Sequence, residues 1–396
     1  MARLKLEIII KYILVFSIIF NLIEFSVIIK ENYFLNKQKK ILEAQLEKNK
    51  KFDARTIWDA YKDFNTKDPN IFFYLGPLEF KEDKNEILPL SIIAKENIFL
   101  YANDHGYYPV YKSDRYGFKN LDIEWEKKII DYVLVGDSFL QPGNIDKSIG
   151  HHIRSITLTQ NGILDLSHGS FGPLYQYAVL REYLPLINAK KVILFYFESN
   201  DLTNLQNHLK NSILQKYLKN IKFTQNLHLK QKIINKIYED KHLSKSNKFN
   251  NYTNNRTWLE EIEDYKKNNW LLFFKYYHTR KILFKQKKQN KKKVEDYLYV
   301  LDLINKFVDQ NDAKLYFVYV PEINRYIDGV PIRRASQNYK KILKGVKNLN
   351  IEYLDLHKEF YLKQKNPLIY FPLESYGHVN ELGFNNISQI LVEKFN

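Results

Sequence analysis

Four short stretches hold the residues whose types and spacing suit chemistry. YVLVGDSFLQPG places Ser138 directly behind an apolar run, and SHGSFG holds Gly169 and Ser170. FESND holds Asn200, and SYGHVNELG holds His378. A serine hydroxyl is a weak nucleophile until a neighbouring base, most often histidine, takes its proton. The oxyanion formed by its attack on an acyl carbon needs donors already in place, either backbone N–H groups or a side-chain amide. Ser138 as nucleophile, His378 as base, and Asn200 with the backbone of the Gly169–Ser170 turn as donors therefore read as the parts of an acyl-transfer site. Taken singly, each has an ordinary alternative. Gly-Asp-Ser is a common way to end a strand, Asn-Asp after a strand suits a helix cap, and a histidine ahead of a helix is often a surface residue.

What joins them is where the intervening elements put them. DYVLV, GILDL, KVILFYF, KLYFVYV and IEYLDL are short apolar runs of the kind found in buried parallel strands. Between them IGHHIRSITLT, PLYQYAVLREYLPLI and KKVEDYLYVLDLINKFVDQN read as helices, with Pro173 suited to a first turn, and GFNNISQILVEKF closes the chain as another. Alternating strand and helix predicts a doubly wound α/β sheet. In such sheets ligands bind beyond the carboxyl ends of the strands. The first three strands end at Asp137-Ser138, at Ser167 to Gly172 and at Glu198 to Asp201, so these clusters are expected on one rim, with the His378 loop reaching it. No G-x-S-x-G elbow surrounds the serine, which argues against the usual α/β-hydrolase arrangement.

In this order, VLVGDSF, SHGSFGPL, FESND and GHVNELG resemble the four blocks of the SGNH (GDSL-like) hydrolases, over about residues 110 to 396. The segments SDRYGFKN and GPLYQYAVLREYLPLINAKKVILFYFESNDL look like a membrane-anchored bacterial branch of that superfamily. The resemblance implies a mostly parallel, three-layer, flavodoxin-like fold and a serine esterase or O-acyltransferase needing no cofactor. It implies Ser138 as nucleophile, His378 as base, and Gly169, Ser170 and Asn200 around the oxyanion. Family enzymes usually carry Asp three residues before the histidine, where this chain has Ser375; Glu374 or Asp355 is expected to orient His378 instead, or the site runs as a dyad. Ser170 stands where the family has glycine, and Ser199 replaces another. The missing Asp also leaves open a second reading, a module that binds or scaffolds in a cell-envelope assembly without turnover.

Ahead of this domain, Tyr12 to Ile29 form an apolar run just long enough to span a hydrocarbon core. No small-residue cleavage site follows it, so an uncleaved signal-anchor over residues 1–30 is expected, with the rest of the chain periplasmic or otherwise outside the cytoplasm. Residues 31–125 read as a helical stalk and an aromatic-rich apron, 126–396 as the α/β domain, and 206–292 as a helical insertion within it. The basic run Lys285 to Lys293 reads as a solvated loop, or as a contact for anionic headgroups. The net charge of +16 suggests anionic partners, but Lys, Asn, Ile, Tyr and Phe are abundant together, which points to residue bias. No nucleic-acid motif is present. The chain has no cysteine, which excludes disulfides, and His151, His152 and His168 show no metal-ligand spacing. The expected substrate is an acyl ester of a glycan or lipid.

Overall fold

The computed structural model describes residues 2–48, 53, 55–80, 87–100, 104–140, 147–251, 287–327, 335–374 and 378–396. The chain divides into two compact units, one comprising Met1–Lys50 with Asn254–Asn290, the other Lys51–Thr253 with Lys291–Asn396. In the first, a single helix α1 (Ala2–Lys48) runs through both the apolar run and the Lys/Glu-rich stretch after it. Its Ile10–Ile29 segment has a mean hydropathy of 2.3 and is long and apolar enough to cross a membrane. Tyr12, Ile13, Leu14, Phe16 and Leu22 are exposed there, whereas Glu24 and Ile28, one turn apart, are buried.

The larger unit is built on a sheet of five parallel strands, β4 (Ile130–Val135), β5 (Gly162–Asp165), β6 (Ala189–Phe197), β7 (Lys314–Val320) and β8 (Glu352–Asp355). Their spatial order is β5-β4-β6-β7-β8. Because side chains alternate across a strand, β6 feeds two cores. Val192, Leu194 and Tyr196 pack with helices α4 (Pro173–Tyr183) and α8 (Lys287–Asp309). Ile193 and Phe195 pack on the opposite face with α3 (Ile149–Thr157) and the last helix, Glu381–Phe395. Helices on both faces and parallel strands buried on both explain why the strand runs are almost wholly apolar. The order reverses between β4 and β6, and that switch point is where an open α/β sheet leaves a crevice.

The described residues between 53 and 125 carry a smaller three-stranded sheet, β1 (Ile71–Phe73), β2 (Asn97–Phe99) and β3 (Val110–Lys112), in the order β1-β2-β3, packed against helix α2 (Ile57–Lys67). The SDRYGFKN segment fastens this sheet to the large one. Buried Asp114 accepts hydrogen bonds from the N–H groups of Tyr116 and Phe118, from Asn120 Nδ2 and from Trp125 Nε1. Asn120 then exchanges two bonds with the backbone of Asp165 at the end of edge strand β5. Gly117 (φ +83) sits where a Cβ would lie 2.0 Å from the Ile92 carbonyl, so only glycine fits.

Of the insertion, residues 206–251 and 287–292 are described; the first stretch carries the end of helix α5 (Asp201–His208) and helices α6 (Ser212–Lys219) and α7 (Gln231–Asn251). The helical pattern expected at TWLEEIEDYKKNNWLLFFKYY lies outside the described residues. The basic run is not a loop from Lys287 onward, where it forms the first turns of α8. Helix α4, buried along its whole length, is held by Glu182, whose carboxylate accepts from Tyr217 Oη, Thr224 Oγ1 and the N–H groups of Gln225 and Leu227.

Candidate active site

The turn after β4 is closed by Asp137, not by the serine. Asp137 Oδ1 accepts from the Phe139 N–H at 2.9 Å, and its carbonyl accepts from the Leu140 N–H at 3.2 Å. Gly136 fits tightly just before it: a Cβ there would lie 3.0 Å from Leu140 Cβ and 3.2 Å from Phe195 Cβ, so those neighbours would have to give way. Ser138 is partly exposed, one step beyond the end of the strand.

Asn200 occupies the N-cap position of α5 but makes no side-chain cap bond. Its Nδ2 donates instead to Asp137 Oδ2 at 2.9 Å. Asn200 thus bridges the ends of β4 and β6 across the switch point. Next to it, buried Asp201 accepts from the Phe197 N–H. Burial pushes Asp137 up from the usual carboxylate range, against the opposing effects of the Phe139 N–H, Asn200 and the nearby His378 charge. Burial, reinforced by the charge of Asp137, pushes Asp201 up as well.

His378 does not cap the helix that follows; Asn380 does, accepting from the Gly383 N–H at 3.0 Å. The Nδ1 of His378 lies 2.5 Å from Asp104 Oδ2. Asp104, only 3% exposed, sits on the connection between β2 and β3 of the small sheet, while the His378 side chain keeps 25% of its surface. Burial would push the imidazolium down, but the hydrogen bond and charge of Asp104, with Asp137 beyond, outweigh it, and the net direction is up.

The carboxylate on His378 is therefore neither of the two expected. Asp355 ends β8 and caps the helix after it, accepting from the Lys358 N–H and from Tyr339 Oη. Glu374 sits in a left-handed turn (φ 52) whose N–H bonds the Phe371 carbonyl. Ser375 lies outside the described residues. Asp104 escaped the sequence reading because it precedes the serine and belongs to no periodic element. The available signal was a lone acid in an Asn-Asp-His-Gly turn between aromatic runs, which is weak.

The Gly169–Ser170 turn follows β5 and is closed by the Phe171 N–H bonding the His168 carbonyl at 3.1 Å. Ser170 adopts φ +68, the left-handed conformation that favours glycine. His168 is buried against Phe118 and Phe171, and burial pushes its pKa down to about 3, so the ring is neutral. Glu198 of FESND serves the fold. Buried completely, it holds Arg325 through two bonds of 2.6 and 2.7 Å and also accepts from Tyr319 Oη and the Glu322 N–H. It thereby ties the ends of β6 and β7 together beside Asn200.

No family model matches the chain, and no curated protein matches it. Among solved structures, it is similar to an acetyl xylan esterase, AlAXEase, at 13% identity and a TM-score of 0.38, over 67% of this chain and 100% of that one. It is also similar to a lipase/acylhydrolase from Enterococcus faecalis at 9% identity and a TM-score of 0.36, over 66% of this chain and 94% of that one. Likenesses this distant leave the chemistry to be read from the residues themselves.

Proposed function

We propose that the chain is a serine esterase or O-acyltransferase of SGNH type that works through an acyl-enzyme on Ser138. The observation that carries this reading is the Asp104–His378 contact at 2.5 Å, in a site where Asn200 bonds Asp137, the neighbour of the serine, and Asp137 feels the charge of His378. In this mechanism Ser138 Oγ attacks the acyl carbon while the His378 ring takes its proton. Asp104 holds the ring through Nδ1 and stabilises the imidazolium as it forms. The oxyanion is met by the Ser138 N–H, a backbone N–H of the Gly169–Ser170 turn and the second N–H of Asn200, whose first is fixed on Asp137. His378 then returns the proton to the leaving alcohol. Water or an acceptor hydroxyl takes the acyl group, with the proton passing again through His378.

The alternative, a binding module without turnover, drew its motive from the missing acid beside the histidine; the Asp104 contact supports turnover over it. An N-terminal anchor formed by α1, with the α/β unit outside the cytoplasm, fits an envelope glycan or lipid ester as substrate. The test is an esterase and acetyl-transfer screen with short and long acyl donors on wild type and Ser138→Ala. Turnover by the wild type alone is expected; activity that survives the substitution takes Ser138 out of the mechanism.

A further inference from the structure

The insertion helix α7 packs against the small sheet. Among the described residues β1 is an edge strand of the small sheet, whose order is β1-β2-β3. Along that edge stands Tyr238 of α7, fully buried. Its hydroxyl donates to the Phe73 carbonyl at 2.6 Å and accepts from the Leu75 N–H at 2.7 Å, the two groups a further strand would engage. The next turn of α7 brings His242 to 4.8 Å from the Phe72 ring and 5.7 Å from Phe73. Lower on the helix, Asn235 accepts from the Ala94 N–H and Gln231 donates to the Ile92 carbonyl.

From β1 two short routes lead to the chemistry. Sideways, Phe73 is in register with Phe99 of β2, the Tyr74 N–H bonds the Phe99 carbonyl, and the next N–H, of Leu100, bonds the Pro109 carbonyl, closing the base of the connection on which Asp104 sits. Forward, the residues flanking Leu75 meet the turn after β5: Tyr74 Oη lies 3.5 Å from His168 Nδ1, and a Cβ on Gly76 would lie 3.6 Å from the Gly169 carbonyl oxygen. We propose that Tyr238 is a positioning residue for acyl transfer, and that α7 serves to set Asp104 against His378 by completing the edge of the small sheet. This deepens the reading of Ser138, His378 and Asp104 given above and rests on it.

The test uses full-length Tyr238→Phe, which keeps the ring and deletes the hydroxyl. Two readouts are taken: kcat/KM against pH per fluorophosphonate-titrated site, and the His378 ring titration followed by NMR with labelled histidine. Among the described residues the charges that act on that ring are those of Asp104 and Asp137. In Tyr238→Phe the His378 midpoint and the acid limb of kcat/KM are expected to move down together, in the direction of Asp104→Asn. A small misplacement of a catalytic group costs up to about a hundredfold, so kcat/KM per site is expected to fall roughly ten- to hundredfold. A folded Tyr238→Phe with the wild-type His378 midpoint and limb overturns the proposal and leaves Tyr238 as support for the fold alone. Should Tyr238→Phe not accumulate as folded protein, His242→Ala, which removes ring contacts to β1 and no backbone bond, is read in the same way. The two readings fail separately: activity retained in Ser138→Ala overturns the acyl-transfer reading, while the NMR titration, which needs no turnover, still decides whether Tyr238 sets the Asp104–His378 pair.

Discussion

Asp104→Asn removes a charge and keeps a shape. The asparagine oxygen can still accept from His378 Nδ1, so the ring stays oriented while its countercharge is gone. In the wild type the two groups are 2.5 Å apart and the Asp104 side chain retains 3% of its surface. Two unit charges about 4 Å apart, centre to centre, attract by about 4 kcal/mol at the effective dielectric of a protein surface. That attraction is felt only once His378 carries a proton, which happens as the transition state forms, so its loss falls on kcat. At about 1.4 kcal/mol per decade the expected loss is about a thousandfold. The pH profile supplies a second mark. The active ring is neutral, so kcat/KM falls as the pH drops through the raised His378 value, and that limb shifts to lower pH when Asp104 is neutralised. The assay is hydrolysis of an activated ester across the pH range, corrected for the labelled fraction. An Asp104→Asn enzyme with the wild-type rate and an unmoved limb refutes the reasoning.

Three further outcomes are expected. Asn200→Ala removes one oxyanion donor and should lower kcat by about 10²–10³ with little change in KM; an unchanged kcat would take Asn200 out of the site. Asp165 is buried, and burial pushes its pKa up to about 7, the Ser167 hydrogen bonds opposing this. A carboxyl raised in the folded state leaves stability full below its unfolded pKa near 4 and erodes it as pH climbs to about 7. Asp165→Asn, which keeps the oxygen bonded to Ser167, should therefore raise the thermal midpoint at pH 7–8 and have little effect near pH 4, with a gain of roughly 2–4 kcal/mol; a gain independent of pH contradicts this. Glu198→Gln leaves Arg325 buried without its countercharge and should cost about 3–5 kcal/mol in urea unfolding, whereas a cost below about 1 kcal/mol would mean that the pair is solvated.

The large sheet was legible because parallel strands covered on both faces write themselves as unbroken apolar runs, and the polar clusters behind Val135, Asp165 and Phe197 marked one rim. Asn200 was legible as a residue, but the sequence could not tell a helix cap from a donor turned toward Asp137. The acid on His378 was not legible. Its place depends on a second sheet whose strands are three residues each, too short for a periodic signal, and on long-range staples such as Asn120 on Asp165 and Tyr238 on β1. Strand-end logic therefore looked to Asp355, which is spent on a helix cap and on Tyr339. The basic run at the start of α8 was misread because charge alone favours a solvated loop, while the amphipathic stretch after it extends the helix backward through the lysines.

An activated nucleophile at Ser138 reacts with a fluorophosphonate, and other serines do not. The native protein is treated with the probe and digested, and the adduct is located by mass spectrometry. Stoichiometric modification of Ser138 is expected, absent in Ser138→Ala, and slowed in Asp104→Asn and in His378→Ala. A folded protein that takes no label, or takes it on another serine, contradicts the account.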